Sequence, residues 1–213
     1  MGGILKIPEW IVKLAYVNFL WILFSVIGIG IFGIFPATIA MFAVVRQWLM
    51  GRTEIPIFKS FAVVFKKDFI KGNFLGFILS LVGFTFYLNF QLLGQANENA
   101  VQLFYYFLIP LAFMFILTVV YIFPVFVHYE IPLVHVFKNA FLTMIVSPLS
   151  TIGMVAGFII LYLALKSYPG LIILFGPILS TILIMWSSYL SFSHLQRRKQ
   201  GKARGRFSCF ILK

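Results

Sequence analysis

Hydrophobic positions in this chain come as unbroken blocks, not as stripes. Residues 74–93 (FLGFILSLVGFTFYLNFQLL), 103–127 (LFYYFLIPLAFMFILTVVYIFPVFV), 141–165 (FLTMIVSPLSTIGMVAGFIILYLAL) and 170–190 (GLIILFGPILSTILIMWSSYL) contain no charged residue. Each is at least 20 residues long, enough for a helix to cross roughly 30 Å of hydrocarbon. The strands of a membrane barrel alternate their faces over about ten residues, whereas these blocks are apolar all round. A helix also closes its own backbone hydrogen bonds, which hydrocarbon requires. The pattern predicts an all-α, polytopic transmembrane helical bundle.

The first apolar region is less regular. Leu14 to Val45 is uncharged for 32 residues, with Gly28, Gly30, Gly33 and Pro36 near its centre. That is long for one span and short for two. Proline removes a donor and disfavours helix at the residue before it, but its missing N–H costs little at a helix start. Two readings follow. In one, residues 11–27 and 34–50 form a hairpin of two short spans, six spans in all. In the other, residues 11–33 are one span and 37–50 lie along the interface, giving five. Lys6 and Lys13 precede apolar sequence that runs on too far for a cleaved signal, so this region reads as retained.

Charge separates these readings. Residues 46–71 carry six basic and two acidic residues, and 194–213 carry seven basic and no acidic residues. Basic loops favour the cytoplasmic side, so both segments belong there. The loops near 98 and 166 are then outside and 128–140 inside. The hairpin leaves 16 of the 17 basic residues cytoplasmic, against 14 for the five-span reading. Charge favours the hairpin, with residues 1–193 as a single transmembrane domain and 194–213 as a basic cytoplasmic tail.

Composition agrees. The chain is 62% hydrophobic and 10% charged, with 27 Phe and five acids, where a soluble domain has about 25% charged residues. The lone Cys209 forms no internal disulfide.

One short segment does show a stripe. In PIFKSFAVVFKKDFIK (56–71), Phe58, Phe61, Phe65 and Phe69 recur at helical spacing, while Lys59, Lys66, Lys67 and Lys71 fall off that face. Pro56 suits the start of such a helix. This predicts an amphipathic helix on the inner leaflet, its Phe rings among acyl chains and its lysines at anionic head groups, with docking on a partner as the other use of the same face. The tail HLQRRKQGKARGR, with Arg197, Arg198 and Lys199, reads as a stop-transfer flank touching acidic lipid, and nucleic acid is not an expected partner.

Reactive constellations are missing from the sequence. His128, Glu130 and His135 match no metal signature, and there is no HExxH, Walker loop or GxSxG. No metal or cofactor is expected, nor an enzyme. The spans hold no deep Asp, Glu, Lys or Arg, the groups that proton-coupled carriers keep there. Asn18 and Ser25 lie seven apart on one helical face and suit hydrogen bonds between helices. Gly72, Gly76 and Ser80, and Gly153 and Gly157, step by four, which allows close helix approach within the chain, with a partner or in a homo-oligomer.

The stretch YVNFLWILFSVIGIGIFGIFPATIAMFAVVRQWLMG (16–51), followed by IPIFKSFAVVFKKDFIKGNFLG (55–76), resembles the YesL-like bacterial membrane proteins, an uncharacterised domain family. The resemblance runs through Asn18 and Trp21, the Gly33, Pro36, Ala37 element and the Arg46, Trp48 ending. It continues through Pro56, Phe58 and Phe61, then Lys67, Phe69 and Asn73. Members are often linked with carbohydrate ABC uptake systems of Gram-positive bacteria. The resemblance therefore implies a role beside a sugar permease for what the apolar blocks and charges make a multi-pass protein of the bacterial cell membrane with a cytoplasmic C-terminus. It would be a non-enzymatic accessory subunit that stabilises or modulates a carbohydrate ABC permease. The alternative is an autonomous small-solute transporter or channel.

Overall fold

The computed structural model describes the backbone of residues 6–94, 99–129, 131–166 and 169–211, and the side chains of 8–94, 104–129, 131–166 and 170–191. All regular structure among them is helical: α1 (Lys6–Ile27), α2 (Ile31–Leu49), α3 (Ile57–Lys67), α4 (Phe69–Gly94), α5 (Asn99–His128), α6 (Leu133–Val146), α7 (Pro148–Lys166) and α8 (Pro169–Ile211). Six of these, α1, α2, α4, α5, α7 and α8, are long and apolar enough to cross a membrane.

α1 and α2 pack antiparallel through a three-residue turn. The Gly30 N–H donates to the Ser25 carbonyl (2.9 Å) and the Ile29 N–H to that of Val26 (3.0 Å). This pair of bonds is the Schellman termination, which needs a left-handed residue after the helix. Ile29 supplies it, at φ 62°. Gly28 and Gly33 then let the two backbones meet. A Cβ on Gly33 would overlap the Ser25 backbone, and one on Gly28 would overlap Gly33. Across the pair, Trp21 Nε1 donates to Thr38 Oγ1 (3.1 Å), which in turn donates to the Ile34 carbonyl (2.7 Å).

Pro36 does not open α2. The helix begins five residues earlier, at Ile31, and Pro36 sits buried inside it. Pro36 forfeits a single backbone bond, and the close contact of Gly33 with α1 holds the preceding turn. Nor does α2 suit the interface that the five-span reading gives residues 37–50. In α2, 61% of the apolar window is buried, against 22% or less for the other long helices. It is the central helix, packed by α1, α3, α4, α5 and α8. Its small residues Gly33, Ala37 and Ala40 admit these neighbours. Because lipid tails are as apolar as leucine, such close packing has to hold a bundle that hydrophobicity alone would not.

The other helices complete the core through specific fits. Gly72 leaves room for Pro36 and Ile39, and Gly76 for the Phe35 ring, where α4 crosses α2. Phe42 of α2 stacks on Phe123 of α5 (5.5 Å, 10°). Asn18 Nδ2 donates to the Ile173 carbonyl of α8 (2.9 Å), and the buried Tyr121 hydroxyl bonds Thr151 of α7 (3.0 Å).

Two expectations need correction. The block 141–165 is not one helix: it breaks at Ser147, ahead of Pro148. The residue before proline avoids helical dihedrals, and proline is well suited to the first turn of α7. The polar loop expected over 128–140 is correspondingly shorter, because α6 takes up its second half and packs back along α5. The backbone of the basic tail is also helical, as far as Ile211. Its Leu, Gln, Arg, Lys and Ala residues are good helix formers.

Candidate functional site

The residues singled out in the sequence divide into three groups. The first builds the hub. Asn18 is buried against α8, Trp21 bonds Thr38, and Gly33, Pro36 and Ala37 are buried where α2 meets α1 and α4. Trp48 is buried, with its ring edge-on to Trp10 at 5.5 Å.

The second group forms the amphipathic segment. Pro56 caps α3 and Phe58, Phe61 and Phe65 gather around Phe24 of α1, at 6.0, 5.2 and 4.9 Å between ring centres. Phe65 passes the contact on to Phe69 at 5.4 Å. Phe61 and Phe65 are buried, so the protein takes up these rings and only Phe58 is left half-exposed. The sequence pattern offers the stripe to acyl chains or to a partner protein, not to the chain's own α1. It misses Phe24, whose own stretch carries no stripe to mark it as the receiving surface. Asn73 Nδ2 donates within its helix to the Phe69 carbonyl (2.9 Å). Lys59 and Lys66 point outward.

The third group meets in a cavity of about 670 Å³. α2 contributes Ile39, Ala43, Arg46 and Gln47, and α3 contributes Val64 and Lys67. Asp68 and Lys71 come from the α3–α4 junction and the start of α4. Phe126, Val127, Tyr129, Ile131, Pro132 and Leu133 close it from the end of α5 and the start of α6. Lys71, expected to face lipid, is exposed and also lines this cavity together with Lys67 and Arg46. Among the described residues the lining mixes apolar side chains with three cations and one acid. Arg46 Nε is buried and has no hydrogen-bond partner. Leaving such a donor unmatched costs roughly 1–3 kcal/mol. Burial pushes the Tyr129 phenol above its ordinary pKa, so its hydroxyl stays protonated.

In the sequence Arg46 ends an uncharged region while Lys67 and Lys71 fall on the polar side of an amphipathic helix, and nothing in their spacing joins them. The α5–α6 connection that covers them looked like open loop. Among the described residues no group of three His, Cys, Asp or Glu side chains gathers as metal ligands would. Glu130 and the side chains of Arg197, Arg198 and Lys199 lie outside the described residues.

Comparison with known proteins adds the following. A family model described as "Protein of unknown function, DUF624" matches residues 14–90. The chain is 35% identical to the uncharacterized protein YesL of Bacillus subtilis (strain 168) over 204 residues, which is 95% of this chain and 96% of that protein. It is 37% identical over 186 residues to the uncharacterized protein YesV of the same organism, covering 86% of this chain and 88% of YesV. With the uncharacterized protein YteU, also from that organism, it shares 32% identity over 176 residues, 83% of this chain and 79% of YteU. No solved structure matches the chain.

Proposed function

The chain belongs to the YesL family of uncharacterised proteins, and from that membership we propose that it is a non-enzymatic integral membrane accessory subunit that stabilises or modulates a carbohydrate ABC uptake permease. The observation that carries the reading is the likeness to YesL along nearly the whole of both chains, taken with the link between YesL-like proteins and sugar uptake. The architecture is compatible with it. A central helix is wrapped by apolar helices whose outer faces are mostly exposed, so lipid and a partner's helices have ample surface to cover. Mechanistically, the subunit would contact one conformational state of the permease better than another, and so shift its population.

In this reading α1 and α2 enter the membrane as a hairpin from the cytoplasmic side, α3 lies at the inner leaflet, and the C-terminus is cytoplasmic. Chemical crosslinking at native expression, followed by mild detergent extraction and pull-down of the chain, tests it. ABC permease subunits should co-purify. A good yield of the chain with no permease component counts against the proposal.

The cavity favours one second reading, an autonomous small-solute transporter or channel. Reconstitution alone in liposomes separates the two. A transporter moves solute unaided, and an accessory subunit does not.

A further inference from the structure

Three helices of different sequence origin bring cations to one cavity. Arg46 ends α2, Lys67 ends α3, and Lys71 lies in the first turn of α4. Like charges brought together repel unless something neutralises them. Neither Arg46 nor Lys71 forms an ion pair with a carboxylate among the described residues. Arg46 has in addition a buried Nε with no acceptor. A planar guanidinium donor of this kind matches the oxygens of a phosphate or carboxylate, and it does so through a fork that lysine lacks. Gln47 adds a neutral donor to the same cavity.

The apolar part of the lining decides between anions. Beside the charged groups the lining carries Ile39, Ala43, Val64, Phe126, Val127 and Leu133, which offer no side-chain polar partner, so a small hydrated ion would use only part of the cavity. The volume of about 670 Å³ falls in the range of roughly 300–1,000 Å³ typical of organic-ligand sites. Both features suit an anion carrying a larger substituent. Basic pockets between membrane helices hold lipid head groups in the same way.

We propose that this cavity binds the phosphate of an organophosphate, with Arg46 as its principal ligand and Lys71 as the flanking cation. The phosphate has two sources, the head group of an anionic phospholipid and a soluble phosphate ester. The site differs from the diffuse attraction between exposed lysines and a lipid surface, since its principal donor, Arg46 Nε, is buried within a defined cavity. It also stands apart from any role beside a permease.

The test uses the full chain in mild detergent, with phosphatidylglycerol and glycerol 3-phosphate as separate probes, read by native mass spectrometry. Arg46→Gln should weaken binding of the active probe by about ten- to a hundredfold, as expected for a lost charged hydrogen bond. Arg46→Lys should restore only part of it. Lys71→Gln, at an exposed position that does not threaten folding, should weaken binding severalfold. Lys66→Gln, exposed and outside the cavity, should leave it unchanged. Phosphatidylglycerol binding that glycerol 3-phosphate fails to displace assigns the site to lipid. Binding of glycerol 3-phosphate that lipid fails to displace assigns it to a soluble ester. Equal losses for Lys66→Gln and Lys71→Gln would reduce the effect to surface charge and overturn the proposal, as would binding of neither probe.

Discussion

Ile29 occupies the left-handed position of the α1–α2 turn, at φ 62°, where a β-branched side chain is strained. The left-handed conformation costs an L-residue about 1–2 kcal/mol, which glycine avoids at the expense of some unfolded-state entropy. Ile29→Gly should therefore stabilise the protein by about 0.5–1 kcal/mol, seen as a higher thermal midpoint in detergent. An unchanged or lower midpoint would mean that the exposed Ile29 side chain compensates through a contact of its own. The glycines show why the sequence revealed this level only in part. Gly153 and Gly157 make one small-residue step, but a Cβ on Gly157 would collide with Leu183 while one on Gly153 meets open space. Spacing identifies a helix face able to approach a neighbour. It does not say which residue of that face the neighbour reaches, because that depends on a crossing angle set by the whole bundle.

Elements were legible wherever length and charge define them. The uncharged blocks predicted the long helices, and the Phe/Lys stripe predicted α3. Their ends were harder to read. Pro36 and Pro148 look alike as letters, yet one is accommodated inside α2 and the other follows the break between α6 and α7. Packing of Gly33 against Ser25 holds the turn before Pro36, a tertiary effect with no local signature. The stripe on α3 likewise left its receiving surface unknown. Phe61 is fully buried against Phe24, while Phe58 is half-exposed. Phe61→Ala should cost about 3 kcal/mol, the lower end of the range for a buried Phe, since a lipid-exposed reference weakens the transfer term and leaves the cavity term. Phe58→Ala should cost under about 1 kcal/mol. Denaturation in mixed micelles measures both, and equal costs would show that α3 is held by its exposed face.

For the molecule as a whole, one contact ties orientation to topology. Lys13 Nζ lies 3.3 Å from Glu54 Oε1 and 3.5 Å from the Thr53 carbonyl, so the start of α1 and the α2–α3 loop share one end of the bundle. With Glu54 88% exposed, the pair adds little stability, and its value here is geometric. If the loop is cytoplasmic, the start of α1 is too, and the excess of lysine and arginine favours that side, since 16 of the 17 basic residues would then face the inside. The cavity, whose Arg46, Lys67 and Lys71 belong to the same basic segment, would open towards the inner leaflet, where anionic lipid is available. In a Cys209→Ser background, Glu9→Cys and Glu54→Cys should resist a membrane-impermeant maleimide in intact cells and react once the cells are permeabilised. Gly94→Cys, at the far end of α4, should react without permeabilisation. Opposite behaviour of positions 9 and 54 would break the α1–α2 pairing itself. Labelling of both in intact cells would keep the fold and invert its orientation, because the packing fixes only which ends lie together, and the lysines and arginines decide which side of the membrane they face.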